Sequence, residues 1–372
     1  MTGFNLLFPP VVRFGEGSLS LLEKENIPGA AGVIITGGKS AKKSGALDRA
    51  AAYLRKTGKK IHIYDGVEPE VSVETVDKAA RFCRSVKAGF IIGLGGGSAL
   101  DCAKAAAGCA ADKYSVVDYL ENKVKLKNSP VYFIAIPTTA GTGSECTKNS
   151  VLTWTDKKIK ISLRGDMLVP RLVLADPQLT YSMPPDITAW TGMDALTHAV
   201  ESYFSSGANE VTKAMSVSAI KLIQANIVKA YKNGGNKEAR RAMLLGSLTA
   251  GFAFANAGLG AVHGLGHPVG AICKMPHGLV NAIMLPYVLK YNKKACLKGM
   301  KALEKEAGND IIETVSGLNK KMNIPEKISD VCSKAKELSG LILSTTAYSG
   351  SMQYNPVKMD AEKTEKLLKR VL

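Results

Sequence analysis

The sequence predicts a two-domain chain: an α/β domain built on a doubly wound parallel sheet, then an all-α domain. Three observations carry this. The chain has 372 residues, more than one ordinary core accommodates. Up to Asp176, apolar runs alternate with helical segments in the order β-α-β-α-β-α, the pattern of right-handed crossovers on a parallel sheet. From Met183-Pro184-Pro185 onward the segments become long, helical in period and rich in Ala, Leu and Lys. The boundary is expected near 178–184, giving domains 1–181 and 182–372.

Residues 1–30 read as a short extended start and a helix that begins near Gly17-Ser18 and stops before Pro28. Val33–Thr36 (VIIT) is a continuous apolar run ending in Gly37-Gly38, as a strand buried on both faces requires. A helix over Ala46–Lys56 and a second strand over Lys60–Gly66 follow. His62, alone on that strand, reads as a packing or surface residue. A helix from about Ser72 to Lys87 leads into Gly89–Ala110 (GFIIGLGGGSALDCAKAAAGCA), a strand, a glycine-rich turn and a helix. Val131–Thr147 supplies a further strand and a second loop of small residues. Val151–Trp154 and Ile159–Leu163 pair as a hairpin across Asp156-Lys157, and Leu172–Asp176 closes the α/β half. Helical periods then cover 186–204, 208–232, 237–256, 277–293, 298–306 and 309–322, and the final stretch, about 350–372, reads as a helix bearing Lys and Glu.

A hydrophobic content of 46% with 22% charged residues fits a soluble globular chain, and no apolar run reaches the 18 residues of a membrane-spanning helix. The N-terminal MTGFNLLFPPVVRFG is short, broken by prolines and lacks a basic start, so no signal peptide and a cytoplasmic location are expected. Seven scattered cysteines without a CxxC pair suggest a reducing compartment and free, mostly buried thiols. Cys273, inside a histidine-rich stretch, is a candidate soft metal ligand. The net charge of +17 admits nucleic acid, acidic membranes or anionic substrates as partners. The lysines are spread thinly in pairs, with no long basic run and no basic-aromatic interleaving. A solvated lysine-rich surface is therefore expected, with neither nucleic acid nor membrane as a partner.

GLGGGSALDCAK sets four glycines and a serine between a strand and a helix. Glycines let a backbone approach an anion closely, and a helix N-terminus offers unpaired N–H groups and partial positive charge. The spacing departs from GxGxxG with an acid about 20 residues on, so Gly93, Gly95 and Gly97 alone read as a phosphate cradle or a tight turn. Pro137–Ser144 (PTTAGTGS) adds hydroxyl donors after another strand, and both loops fall where open α/β sheets bind ligands. Together they point to a nucleotide.

The chain holds five histidines, and four of them lie between residues 190 and 280. Asp194 and His198 are four apart in a helical stretch and share a face, His263 and His267 repeat the spacing, and His277 follows across a turn marked by Pro276 and Gly278. A carboxylate with several imidazoles is a metal-ligand set suited to Fe(II), Zn(II), Mn(II) or Co(II).

These motifs resemble the iron-containing (group III) alcohol dehydrogenases, a family that includes lactaldehyde reductases, 1,3-propanediol dehydrogenases and butanol dehydrogenases. The resemblance covers nearly the whole chain: GGGSALDCAK, PTTAGTGSE, the segment from Asp176 to Pro184, TGMDALTHAVE, and GLGHP followed by PHG. It implies a Rossmann-like dinucleotide-binding domain and an all-α metal-binding domain (the dehydroquinate synthase-like fold), with NAD(P) and one divalent metal, iron foremost with zinc or manganese as substitutes, in a cleft between them. It further implies Asp194, His198, His263 and His277 as metal ligands. His267 falls at the family's histidine near the nicotinamide and substrate, a proton relay whose alternative is a packing imidazole. Gly95, Gly96, Gly97 and Ser98 would hold the diphosphate with Asp101 close by. Thr138, Thr139 and Thr142 would contact the cofactor, and Lys160 would reach its ribose. Asn149 and Phe254 would line the substrate pocket, and the assembly would be a homodimer.

One departure bears on the cofactor. Where NAD-preferring relatives carry an acid after the first strand, this chain reads Thr36-Gly37-Gly38-Lys39-Ser40-Ala41-Lys42-Lys43. With Gly37, Gly38, Ser40 and Lys43 there, a 2′-phosphate is attracted rather than repelled, so NADP(H) is expected over NAD(H). The expected reaction is reversible hydride transfer between a short primary alcohol and its aldehyde. Alternatives are a glycerol dehydrogenase or dehydroquinate synthase chemistry on the same fold, and a reductase of an anionic (sulfo-, phosphono- or carboxy-) aldehyde, which the basic balance and Arg164 favour. A basic nucleic-acid-binding protein is the non-enzymatic alternative.

Overall fold

The computed structural model describes residues 3–127, 130–157, 159–337, 339–346 and 350–372. The chain divides into two compact units, one of Leu7–Thr139 with Gly143–Ser182, the other of Met1–Leu6, Ala140–Thr142 and Met183–Leu372. The Ala140–Thr142 segment thus groups with the helices rather than with the rest of its loop. The reason is local: Gly141 offers its carbonyl to the His198 ring at 3.2 Å.

The first unit contains strands β1 (Val12–Phe14), β2 (Ala31–Gly37), β3 (Lys60–Val67), β4 (Phe90–Gly95), β5 (Tyr132–Pro137), β6 (Asn149–Trp154), β7 (Ile159–Arg164) and β8 (Leu172–Ala175), with helices α1 (Ser40–Lys43), α2 (Ala46–Lys56), α3 (Val73–Ser85), α4 (Gly97–Cys109) and α5 (Val116–Leu120). Six strands form a parallel sheet in the order β1-β8-β5-β4-β2-β3, while β6 and β7 form a separate antiparallel hairpin. Every residue of β4 is buried, as are the central five of β2, which is why these segments read as unbroken apolar runs. The chain goes outward from β2 to β3 and returns to β4 on the other side of β2. That reversal makes the carboxyl ends of β2 and β4 a topological switch point, where open α/β sheets bind ligands. The register pairs Thr36 with Leu94 and Gly95 with Pro137, so the ends of β2, β4 and β5 lie side by side.

The helix expected from Gly17 to Pro28 is a shorter 3₁₀ turn, Ser18–Glu23. Leu19 and Leu22, three apart, supply its buried face, and the polar Lys24-Glu25-Asn26 that follow offer nothing further to bury. His62 is half-buried and meets Phe82 edge-on at 6.3 Å.

The second unit is helical: α6 (Pro185–Phe204), α7 (Glu210–Lys232), α8 (Lys237–Ala257), α9 (Ala261–Cys273), α10 (His277–Asn292), α11 (Leu297–Ala307), α12 (Ile311–Lys321), α13 (Ser339–Thr346) and α14 (Ala361–Val371). Helix α9 leaves α8 at 105°, and among the described residues no single helix is long and apolar enough to cross a membrane. In the final stretch a 3₁₀ turn at Met352–Tyr354 is followed by an α-helix only from Ala361, not from about 350. Pro356 interrupts the earlier residues, and Asp360 supplies the cap by accepting from Lys363 N at 2.8 Å.

Candidate functional site

In the sheet-bearing unit the glycine-rich turn joins β4 to α4. Gly95 has φ +155°, and a side chain there would meet Ala99 Cβ at 2.7 Å, so only glycine allows this turn. The N-cap of α4 is Gly96, which supplies no side-chain acceptor to the first turn. The N–H groups of Gly97 and Ser98 therefore open a helix with their dipole unopposed by a cap. Thr138 N donates to Gly95 O at 2.9 Å, and Thr139 lies against Gly96, so the two loops after β4 and β5 adjoin. After β2, Gly37 is half-buried, and Gly38, Ser40, Lys42 and Lys43 are exposed. Lys42 pairs with Asp65 at 3.5 Å. Ser98 Oγ accepts from Glu70 N at 3.0 Å, and Glu70 in turn forms an ion pair with Lys160, whose side chain is 8% exposed.

Asp101, expected beside the diphosphate, turns inward. One carboxylate oxygen accepts from Ser144 Oγ at 2.5 Å and the other from Val151 N at 3.1 Å. Beside it stands Lys104, fully buried, a residue for which sequence reasoning proposed no role. Its ammonium donates to Ser144 O (2.7 Å), Thr147 Oγ1 (2.8 Å) and Asn149 O (2.6 Å), with Asp101 at 4.0 Å. Burial pulls Lys104 down to about 8, against the pull of Asp101 and Glu145. Burial likewise raises the Asp101 carboxyl and pushes Glu145 up to about 7. Asn149 thus enters this unit at the start of β6, its carbonyl bound to Lys104.

In the helical unit α6 presents Asp194, His198 and Glu201 at steps of four and three on one face. Helix α9 contributes His263 and His267, and α10 contributes His277 and Asn281. Helix α10 approaches α6 closely at Gly278, where a Cβ would stand 2.3 Å from Trp190 O. No other residue permits that approach, which sets His277 beside Asp194. One ligand atom from each of Asp194, His263 and His277 lies within 4.8 Å of the others. His198 is not one of that trio: its ring stacks on His263 at 4.5 Å and on Phe254 at 4.3 Å. His267 is half-buried, stacks on His277 at 5.0 Å and meets His263 edge-on at 6.0 Å. Cys273 lies outside this group, at the end of α9, a free thiol hydrogen-bonded with that of Cys332.

The hydrogen bonds fix which ring nitrogens face inward. His198 Nδ1 stands 3.2 Å from Gly141 O, and His263 Nδ1 stands 2.6 Å from Glu201 Oε2. Both partners only accept, so both Nδ1 atoms carry hydrogen and the Nε2 atoms are left as donors of lone pairs. Asn281 Nδ2 lies 2.7 Å from Asp194 Oδ1, 3.1 Å from His263 Nε2 and 3.0 Å from His277 Nε2. Whenever both imidazole nitrogens are unprotonated, its two hydrogens face three acceptors. The set fits a divalent cation: one carboxylate and imidazole nitrogens around a point short of positive charge.

The same groups shift one another's titration. Burial opposes ionisation of Asp194, yet the surrounding His198, His277 and His263 hold its carboxyl far below the usual range. Burial lowers His198 to about 4. Burial also opposes charge on His263, but Asp194 and Glu201 outweigh it and raise that ring to about 9. Sequence reasoning missed Glu201 and Asn281. Glu201 closes the TGMDALTHAVE motif on the metal face of α6, and Asn281 lies four residues after His277, so helical spacing was the signal for both.

Comparisons with known proteins cover both halves of the chain. The model of the iron-containing alcohol dehydrogenases matches residues 9–177, and the model of the C-terminal part of the same family matches residues 188–372. Long-chain-alcohol dehydrogenase 1 of Geobacillus thermodenitrificans is 42% identical over 81% of this chain and 76% of its own length. The NADPH-dependent butanol dehydrogenase of Clostridium saccharobutylicum is 38% identical over 87% of this chain and 85% of its own. A crystal structure of a 1,3-propanediol oxidoreductase superposes with a TM-score of 0.94 at 33% identity, covering 100% of both chains. Matched on both halves, the chain belongs to the iron-containing alcohol dehydrogenase family.

Proposed function

We propose that the chain catalyses reversible hydride transfer between a short primary alcohol and its aldehyde, with one divalent metal and with NADP(H) preferred over NAD(H). The observation that carries this reading is the convergence of Asp194 Oδ1, His263 Nε2 and His277 Nε2 on the amide of Asn281, more acceptors than its hydrogens can serve. When bound, the ion (Fe2+, with Zn2+ or Mn2+ as substitutes) supplies Lewis acidity to a substrate oxygen, and the nicotinamide supplies or takes up the hydride.

Asp194, His198, His263 and His277 would hold the ion. His198, lowered to about 4 by burial, offers a neutral ring at pH 7, as a ligand must. The half-buried His267 would exchange the proton of the substrate hydroxyl, its ring kept in place by stacking on His277. Phe254, stacked on His198, and Asn149 would limit the substrate's size. Gly95, Gly96, Gly97 and Ser98 would receive the diphosphate at the start of α4, with Thr138, Thr139, Thr142 and Lys160 binding the rest of the cofactor.

The NADP(H) preference is supported by Gly37, Gly38, Ser40 and Lys43, which leave no acid within the loop after β2. The nearby Asp65 is already engaged by Lys42. A matched relative is itself named for its NADPH dependence. The test is a screen of neutral and anionic short aldehydes with NADPH and NADH, on protein stripped of metal and reloaded with Fe2+ or Zn2+. Activity that needs metal, favours NADPH and favours neutral aldehydes is expected. Full activity without metal would overturn the mechanism, a strong NADH preference the cofactor assignment, and a preference for anionic aldehydes the substrate class.

A further inference from the structure

We infer that Glu201 is a positioning residue that makes His263 a metal ligand, by fixing which of its ring nitrogens carries the proton. The inference rests on the metal reading above. Glu201 is 6% exposed and lies on the same face of α6 as Asp194, seven residues on. Its carboxylate is fully engaged by the first turn of α9. Oε1 accepts from Val262 N at 2.6 Å, and Oε2 accepts from His263 Nδ1 at 2.6 Å and lies 3.4 Å from His263 N. The cap of α9, Gly260, has no side chain to do this. Among the described residues, Asn355 Oδ1 also reaches the same turn, 3.2 Å from Ala261 N.

A carboxylate has no hydrogen to give, so the nitrogen it faces must donate. That leaves His263 Nε2, 3.6 Å from Asp194 Oδ1, with its lone pair on the metal side. A glutamine of the same shape reverses the arrangement. Its carbonyl oxygen must face Val262 N, so its amide NH₂ faces His263 Nδ1. Nδ1 then accepts, the ring proton moves to Nε2, and a protonated nitrogen cannot bind a metal. Carboxylates that hold a ligating histidine by its other nitrogen also raise its basicity. With Asp194, Glu201 gives the site two buried negative charges to set against a divalent ion.

The experiment compares Co2+ dissociation constants, by chelator competition and by the visible absorption of bound Co2+, for the unchanged protein, Glu201→Gln, Glu201→Asp and Asn355→Ala. Glu201→Gln is expected to bind Co2+ about 10- to 100-fold more weakly while keeping its circular dichroism. Glu201→Asp, which can only accept, should stay within about threefold. Asn355→Ala loosens the same helix start without touching His263; it should lower the melting temperature and leave Co2+ affinity within about threefold. A role limited to holding α9 predicts the opposite order, with Asn355→Ala the more harmful to binding. Glu201→Gln within twofold of the unchanged protein overturns the inference alone. So does a folded Glu201→Asp that loses tenfold or more, which keeps the test decisive should the glutamine variant fail to fold. No Co2+ binding by the unchanged protein overturns the metal reading together with it.

Discussion

Each of the two units buries a cluster of charged and polar groups, and the clusters differ in where their positive charge comes from. In the sheet-bearing unit the cation is part of the chain. Lys104 brings an ammonium to the carbonyls of Ser144 and Asn149 and the hydroxyl of Thr147, with Asp101 at 4.0 Å. In the helical unit Asp194, His263 and His277 converge on an amide with too few hydrogens. A cluster that carries its own counter-charge acts as structure. One that gathers a carboxylate and imidazoles within reach of one another has the make-up of a metal site.

The largest expected effect is on the helical cluster. His277→Ala should lose bound metal and at least about 10³-fold in kcat/KM, since polarisation by the ion contributes several kcal/mol. Metal at 100 times its Kd should stabilise the unchanged protein by about 2.7 kcal/mol and leave this variant where it was. Metal content and thermal unfolding measure both, and retained metal with full activity would break the contrast. Next comes Lys104→Met, which leaves buried carboxylates facing one another. It should cost about 3–5 kcal/mol in urea unfolding while metal content stays unchanged. A neutral outcome would remove the structural role of the built-in cation.

The smallest effect is a dependence on pH. Burial raises Glu145 from 4.5 to about 7 in the folded chain. Between these values the folded protein holds a proton that the unfolded chain has released. The stabilisation is full below the lower value and is lost as pH rises through the upper one. The loss should be on the order of 2 kcal/mol, the neighbouring Lys104 charge taking up part of the shift. Unfolding series from pH 4.5 to 7.5 measure it, and Glu145→Gln should flatten the slope.

The backbone plan was largely legible in the sequence. Strands β2 and β4 are buried on both faces, so their apolar runs could mean little else, and the glycine-rich turn announced where β4 gives way to α4. Asp194 and His198 declared a shared face by spacing alone. What stayed hidden depended on contacts between distant segments. A lysine in a helix of small residues reads as solvated; Lys104 is buried because residues 144–149 fold over it. Glu201 reads as an ordinary helix carboxylate until α9 places its first turn against it. The Ala140–Thr142 segment joins the helical unit through a backbone carbonyl, and a carbonyl leaves no trace in a sequence. The 3₁₀ turn over Ser18–Glu23 and the break in the α-helix before Asp360 were misread because short apolar or charged stretches do not reveal their own length.

Helix α9 carries three interior glycines and Pro268 in thirteen residues. Relative to alanine, these residues weaken a helix by about 6 kcal/mol, so α9 is held by what surrounds it rather than by its own propensity. Loss of that surrounding packing would therefore unwind α9 readily. Such an opening would carry His263 away from Asp194 and His277 while α6 and α10 remain in place. Were an ion held by these three residues, α9 would also be its exit, and its lifetime would follow how long α9 stays wound.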